Sequence, residues 1–268
     1  MDFAYVIAGS EATGGAGLQA DLKTFQQLGV YGIGTITCIV SFDPKSDWAH
    51  RFFPIAPRVL EEQFEAATAS QDLDTVKIGM LGTPETIAWA AGAIASRPWR
   101  HVVLDPVLIC KGQEPGAALN TDNALKAEVL PLATVVTPNN FEARALSGLD
   151  ALETVADLAE AGRRILRLGP AAAVVKGGID LPGPDAVDVL VQRHPGGGEP
   201  SVEVFASPKI GQERVSGAGC TFASAITAEL AKGASMSDAV RAAKAFTTRG
   251  IEGRVGGHTP FDTVWQGA

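Results

Sequence analysis

Short runs of β-branched and apolar residues alternate with amphipathic stretches of helical period along almost the whole chain, and that alternation admits few folds. Residues 4–8, 31–40, 76–78, 101–104, 134–136 and 172–175 read as strands, and residues 18–28, 58–70, 84–96, 121–129, 140–146 and 155–168 read as helices. A strand-helix-strand order of this kind predicts an α/β fold with a largely parallel sheet. Two further strand-like runs, 186–191 and 202–205, are joined by a turn-rich link containing Pro195-Gly196-Gly197-Gly198, and they predict antiparallel strands at one edge of that sheet. The helices 221–232 and 238–249 complete the pattern, the second preceded by Ser235 and Asp238 at capping-box spacing. Residues 42–54, with Asp43-Pro44, Trp48, His50 and Phe52-Phe53, read as an exposed flap. With 46% hydrophobic residues and no linker, repeat or low-complexity run, all 268 residues are expected to form one domain.

Ligands of open α/β sheets bind beyond the carboxyl ends of the strands, so the loops that follow strands are where chemistry is sought. The stretch Val215-Ser216-Gly217-Ala218-Gly219-Cys220-Thr221-Phe222 opens an Ala-rich helix. Its glycines permit a sharp turn whose N–H groups, backed by the helix dipole, suit an anion such as a phosphoryl group. Cys220 stands at the same helix start, where a thiol pKa is usually lowered, although a buried, inert Cys is the plain alternative. After strand 101–104, Asp105-Pro106-Val107 places a carboxylate where Mg²⁺ is held through water beside phosphates; Asp-Pro is also a common turn. Asn139 and Glu142 have the spacing of a capping box, and alternatively supply an amide to phosphate and a second carboxylate to Mg²⁺. Lys176-Gly177-Gly178 brings a cation and two permissive residues to a strand end, and strand-end Asp188 either follows simple alternation or faces a nucleotide.

Together these are the parts of phosphoryl transfer, namely positioning, Mg²⁺ and charge stabilisation. No Walker-type G-x-x-x-x-G-K-[ST] occurs. The run Gly15-Ala16-Gly17-Leu18-Gln19-Ala20 matches the loose dinucleotide fingerprint, with Asp43 roughly where a ribose-binding acid stands. Against a nicotinamide enzyme, the first apolar run ends near Ala8, so the glycines follow a long loop and not the tight turn that a pyrophosphate requires.

A formal charge of −8, from 22 basic and 30 acidic residues, argues against a general nucleic-acid or membrane-surface binder and favours a small-molecule partner. Cys38, Cys110 and Cys220 are widely spaced, which gives neither a disulfide framework nor a metal cluster. The first residues carry no basic n-region, and no apolar run reaches membrane-spanning length, so a cytoplasmic location is expected.

The chain resembles the ribokinase superfamily, and within it the branch of bacterial hydroxymethylpyrimidine (phosphate) kinases and pyridoxal kinases. The resemblance is carried by Ile7-Ala8-Gly9-Ser10, Gly14-Gly15-Ala16-Gly17-Leu18-Gln19-Ala20-Asp21-Leu22-Lys23-Thr24-Phe25, Lys77-Ile78-Gly79-Met80-Leu81, Asp105-Pro106-Val107, Val136-Thr137-Pro138-Asn139, Val175-Lys176-Gly177-Gly178 and Gly217-Ala218-Gly219-Cys220-Thr221, and it covers nearly the whole sequence. It implies a three-layer α/β/α fold, a homodimer, and an ATP- and Mg²⁺-dependent kinase acting on a hydroxymethyl group of a small aromatic heterocycle. By the same resemblance, Gly217, Ala218 and Gly219 form the anion hole, and Lys176, Gly177, Asn139, Glu142 and Asp188 meet ATP. Asp105 and Glu142 organise Mg²⁺, Gly9, Ser10, Phe42, Met80 and Val107 line the substrate site, and Cys220 replaces the aspartate base of the sugar kinases.

Two features choose between the branches. Hydroxymethylpyrimidine kinases carry Ala-Gln-Asn after the second strand, whereas this chain has Ser41-Phe42-Asp43-Pro44, and Phe42 cannot hydrogen-bond a pyrimidine. Ile109-Cys110-Lys111-Gly112, in a lid spanning about 106–119, resembles the pyridoxal kinases that pair a lid cysteine with the anion-hole cysteine. That resemblance implies a hemithioacetal between Cys220 and the pyridoxal aldehyde, with Cys110 assisting proton transfer. Pyridoxal or pyridoxine is therefore the expected substrate, with hydroxymethylpyrimidine as the alternative. Glu11 and Ser216 depart from the Asp and His usual at their places.

Overall fold

A computed structural model of the protein describes residues 1–108 and 115–268. One nine-stranded sheet organises it, in the order β3-β2-β1-β4-β5-β6-β7-β8-β9. The strands are β1 Asp2–Glu11, β2 Val30–Asp43, β3 Ala49–Pro54, β4 Thr75–Ile78, β5 His101–Leu104, β6 Val135–Val136, β7 Ala172–Lys176, β8 Asp185–Gln192 and β9 Ser201–Pro208. Pairing is parallel from β2 through β7 and antiparallel at β2–β3, β7–β8 and β8–β9. Antiparallel strands thus finish both edges, where the sequence pattern predicts only one.

The additional edge comes from the expected flap. Residues 42–54 form a hairpin in which Phe42 pairs with His50 and Asp43 with Ala49. Asp43 closes the turn by accepting from the Lys45 N–H at 3.0 Å and from the Arg51 guanidinium. Its carboxylate is therefore spent on the turn, which removes the ribose-binding role weighed for it. The first strand also runs three residues beyond the expected end at Ala8. Two residues of β2, Thr37 and Cys38, stand opposite Gly9 in a bulge, after which pairing resumes at Ser10 and Glu11. Only residues 12–16 then separate β1 from helix α1, Gly17–Gln27.

The remaining helices are α2 Pro57–Ser70, α3 Pro84–Ala95, α4 Pro115–Ala124, α5 Asn140–Ser147, α6 Val155–Leu166, α7 Ala218–Ala231 and α8 Met236–Glu252. Past α4 the chain winds into a π turn at Leu125–Val129, so the single helix expected over 121–129 is broken there. Successive side chains of a strand point to opposite faces, and the central strands, apolar on both, bury both. Tyr5 and Ile7 of β1 pack into one core with residues of α2, α3, α5 and α6. Ala4, Val6 and Ala8 of the same strand face α1 and α7 in another, and a third joins β5, β6 and β7 to α7 and α8. Helices on both faces make the three-layer α/β/α arrangement that the resemblance implies. No helix among the described residues is long and apolar enough to cross a membrane.

Candidate active site

Because β1, β4, β5, β6 and β7 are spatial neighbours and parallel, their carboxyl ends bring five separate motifs into one row along the sheet. The stretch leading into α7 crosses that row. Gly217 is its N-cap in the left-handed region (φ 80°); Ala218 N closes a turn onto Val215 O at 3.3 Å, and no side chain among the described residues caps the helix start, so the N–H groups that follow Ala218 in the first turn are turned toward an anion. A Cβ at Gly217 would overlap the Gly15 carbonyl oxygen, so the loop after β1 and the turn into α7 meet backbone to backbone.

Glu11 holds that first loop in shape. Its carboxylate accepts from Thr13 N at 2.5 Å and from Gly15 N and Ala16 N at 3.1 Å, while its own N–H donates to Gln19 Oε1 at 3.0 Å. A glutamate here works on the protein's own backbone. Gln19 Nε2 reaches Ser10 Oγ at 2.8 Å, tying the end of β1 to α1. Gly9 is packed so closely that an added Cβ would lie 2.6 Å from Cys38 Sγ and 3.9 Å from Met80 Cβ, which puts Gly9, Ser10 and Met80 together. Cys38 is buried core, as its place within a strand suggests.

Asp105 begins the loop after β5, held by its N–H donating to Ile78 O at 2.9 Å, and Val107 N closes a tight turn onto Asp105 O. Its carboxylate is nearly buried and takes Lys176 Nζ at 3.2 Å and Thr137 Oγ1 at 3.3 Å. Gly219 sits over this pair: a Cβ there would be 3.4 Å from Lys176 Nζ and 3.7 Å from Asp105 Oδ2. The anion turn, the strand-end carboxylate and the strand-end lysine therefore converge as the spacing suggests. Burial disfavours the Lys176 charge, but Asp105 and Glu142 outweigh it and hold its pKa above the usual lysine range.

Both readings of Asn139 and Glu142 are compatible. The capping box is complete, with Glu142 N on Asn139 Oδ1 at 3.0 Å and Asn139 N on Glu142 Oε2 at 2.8 Å. Yet Glu142 is buried, and burial together with the charge of Asp105 pushes its carboxyl up to about 7, against the opposing pull of Lys176 and the Asn139 N–H. A carboxyl raised above its unfolded value favours the native state below pH 4.5 and loses that contribution as pH rises through about 7. Ligand-free protein is thus expected to melt at lower temperature at pH 7 than at pH 5, by at most roughly 3 kcal/mol from this group. Melting curves of Glu142→Gln, which keeps an acceptor for the Asn139 N–H, should lack that slope.

Beside Lys176 a cavity of about 270 Å³ opens, lined among others by Asn139, Gly177, Asp188, Phe222, Lys244 and Thr247. Gly177 is pressed onto β8, its N–H donating to Val187 O at 2.8 Å. Asp188 does reach this cavity, but its carboxylate is engaged by Lys244 Nζ at 2.9 Å. The Thr247 hydroxyl is buried with no hydrogen-bond partner among the described residues. Phe42 touches the centre indirectly: its ring packs on His50 and on Phe261, centroids 4.6 and 5.5 Å away. The segment after Phe261 bonds Ser216 N through Asp262 O at 2.8 Å and covers Gly15 through Thr263. Cys110 and the middle of the 106–119 lid lie outside the described residues.

Cys220 departs from the expected lowered pKa. Burial pushes its thiol up to about 11, with Asp21 and Asp105 adding to the rise, against the ammonium of Lys77 and the N–H of Gly17. Sequence reading assigned no role to Lys77 or Asp21, although a lysine inside the apolar run Val76–Ile78 was a visible signal. Both are fully buried, with Lys77 Nζ at 2.8 and 2.9 Å from the two Asp21 oxygens. Lys244 and the Phe261 segment were likewise unmarked, since their distance along the chain gave no sign that they fold against the strand ends.

The family model for phosphomethylpyrimidine kinase matches residues 11–262. This chain belongs to the phosphomethylpyrimidine kinase family. Within it, the chain is 45% identical over 252 residues to a pyridoxine kinase of Bacillus subtilis, covering 94% of this chain and 91% of the relative. The Staphylococcus aureus pyridoxal kinase, solved with AMP-PCP and pyridoxal, superposes with a TM-score of 0.90 at 36% identity and covers 100% of this chain and 94% of its own. The Clostridium difficile phosphomethylpyrimidine kinase gives a TM-score of 0.78 at 32% identity, with 94% and 100% covered.

Proposed function

We propose that this chain is an ATP-dependent kinase that phosphorylates the 5′-hydroxymethyl group of pyridoxal or pyridoxine, acting as a single domain across residues 1–268. The observation that carries this reading is the meeting of the α7 start, which no side chain caps, with Asp105 and Lys176 beside the cavity of about 270 Å³. In the reaction the hydroxymethyl oxygen bonds to the γ-phosphorus while the bond to the ADP oxygen breaks. The N–H groups around Gly217, Ala218 and Gly219 stabilise charge on the transferring group, and Lys176 neutralises the phosphates. Asn139, Gly177 and Asp188 border the nucleotide, the last by holding Lys244 in the cavity wall. Gly9, Ser10, Met80, Val107 and Phe42 flank the heterocycle, and Cys220 takes the hydroxyl proton. With pyridoxal, the same thiol is open instead to hemithioacetal formation with the aldehyde, in which case its sulfur no longer serves as the base and Cys110 assists proton transfer.

Asp105 and Glu142 fit a Mg²⁺ ion. Their two carboxyls are buried at the strand ends around Lys176, close enough for the charge of Asp105 to add to the rise in the Glu142 pKa that burial causes. Such a pair suits an ion held mainly by phosphate and water. When bound, it neutralises phosphate charge.

Hydroxymethylpyrimidine is the second reading, favoured by the family as a whole. Phe42 and the higher structural similarity to the pyridoxal kinase weigh against it. ADP release measured with pyridoxal, pyridoxine, pyridoxamine and hydroxymethylpyrimidine is expected to give the highest kcat/KM for pyridoxal or pyridoxine. A higher value for the pyrimidine overturns the choice. A homodimer working in the cytoplasm completes the reading, and light scattering on the purified protein tests its assembly.

A further inference from the structure

Gln266 is a polar side chain with almost no exposed surface, and its amide donates to Thr221 Oγ1, also buried, at 3.0 Å. Glutamine side chains are mostly found in water. A single neutral hydrogen bond adds little net stability, because both groups bond to water in the unfolded chain, and two apolar groups of the same shape hold a fold about equally well. What such a bond does fix is direction. Threonines within helices commonly turn their hydroxyls back onto the carbonyl four residues earlier, as Thr24, Thr68 and Thr227 do with Ala20, Phe64 and Ala223. Thr221, in the first turn of α7, takes a donor from outside its helix, 45 residues away in the sequence.

That donor belongs to a segment that reaches the anion turn twice. Ser216 N donates to Asp262 O at 2.8 Å and Val264 N to Ser216 O at 3.0 Å, so Ser216, the residue before Gly217, is paired in a parallel bridge. Two residues after Val264, Gln266 bonds Thr221, the residue after Cys220. The turn Gly217–Cys220 is thereby held at both flanks by the one segment Phe261–Gln266. The segment is anchored in its own right: Thr263 exchanges N–H to carbonyl bonds with Val255 at 2.9 and 2.8 Å, and Trp265 N donates to Gly250 O of α8 at 3.0 Å. Val264 packs so closely on α8 that a Cβ added at Gly250 would lie 2.6 Å from its Cγ1. A brace needs this second attachment, since a loose segment would simply move with the turn. We propose that Phe261–Gln266 is a working part of the phosphoryl-transfer site, with Gln266 the positioning residue that sets the direction of the first-turn N–H groups of α7 through Thr221.

This inference deepens the kinase reading and rests on the α7 start receiving the transferring phosphoryl group. Failure of that reading is seen separately, as unchanged kcat in Gly217→Ala. Gln266→Leu removes the donor at similar volume. Its kcat is expected to fall about tenfold or more, with KM for ATP and pyridoxal within about twofold, because misdirected N–H groups weaken the transition state and not the bound substrates. Aluminium fluoride with ADP and pyridoxine, a mimic of the phosphoryl group in transfer, should bind more weakly by a similar factor, while ADP alone binds as before. Gln266→Leu also leaves the Thr221 hydroxyl unpaired and is expected to melt at a lower temperature. Adding Thr221→Val removes both partners, so the double variant should regain most of the lost melting temperature and none of the lost kcat. A Gln266→Leu variant with unaltered kcat overturns the proposal, whatever happens to its KM. So does a double variant whose kcat recovers together with its melting temperature, since the bond would then serve stability alone.

Discussion

Cys220→Ala is expected to lower kcat by on the order of 10²–10⁴-fold while leaving the fold intact. The substitution removes a single sulfur atom, so little packing is lost. What disappears is the proposed proton acceptor at the foot of the anion turn. The unliganded thiol, with a pKa of about 11, is protonated at neutral pH. The rate of the unaltered enzyme is therefore expected to climb as pH rises through the neutral range, because more of the protein carries a thiolate. Cys220→Ser should remain slow, since an alcohol gives up and regains its proton at far higher pH. Coupled ADP release, with circular dichroism to confirm folding, measures both variants. Near-normal turnover in Cys220→Ala sinks the assignment.

Gly217→Ala is expected to have an effect of similar size for a different reason. Residue 217 sits at φ 80°, where a side chain costs about 1–3 kcal/mol, and its Cβ would also strike the Gly15 carbonyl oxygen. The backbone strain is shared by many turns, but the collision is particular to this one. To relieve it, either the loop of residues 12–16 or the start of α7 must shift, and the N–H groups proposed to hold the phosphoryl group move with it. Loss of one such donor costs about 10²–10³ in kcat. Gly233→Ala is the matched control: Gly233 has φ 88° with open space around it, at the far end of the same helix. That variant should lose a comparable small increment of thermal stability and keep its kcat. Equal loss of activity in both variants would show that strain in α7, and not the close approach at Gly15, governs the rate.

Much of this was legible in the chain. The alternation of apolar strands with amphipathic helices gave the α/β class, because burial on both sheet faces requires it. The motifs ending β1, β4, β5, β6 and β7 were visible as glycine, carboxylate and lysine at strand ends, and parallel topology is what turns strand ends into a common site. The flap was harder to read. Phe42, His50 and Phe53 looked exposed because an edge strand is only half covered, and the hairpin pairing that makes 49–54 a strand is a long-range fact.

The sequence alone determined which residue types stand at the strand ends and which family they resemble, since propensity, periodicity and spacing are local properties. It could not decide the electrostatics of the anion turn. A helix start predicts a lowered thiol pKa for Cys220, because the dipole and free N–H groups are local. Tertiary structure reversed that sign by desolvating the thiol and bringing Asp21 and Asp105, 199 and 115 positions away in the chain, to bear on it against the opposing charge of Lys77. Desolvation and Coulomb interaction depend on distance in space and on exclusion of water, and only the folded arrangement of α1, β4, β5 and α7 sets those.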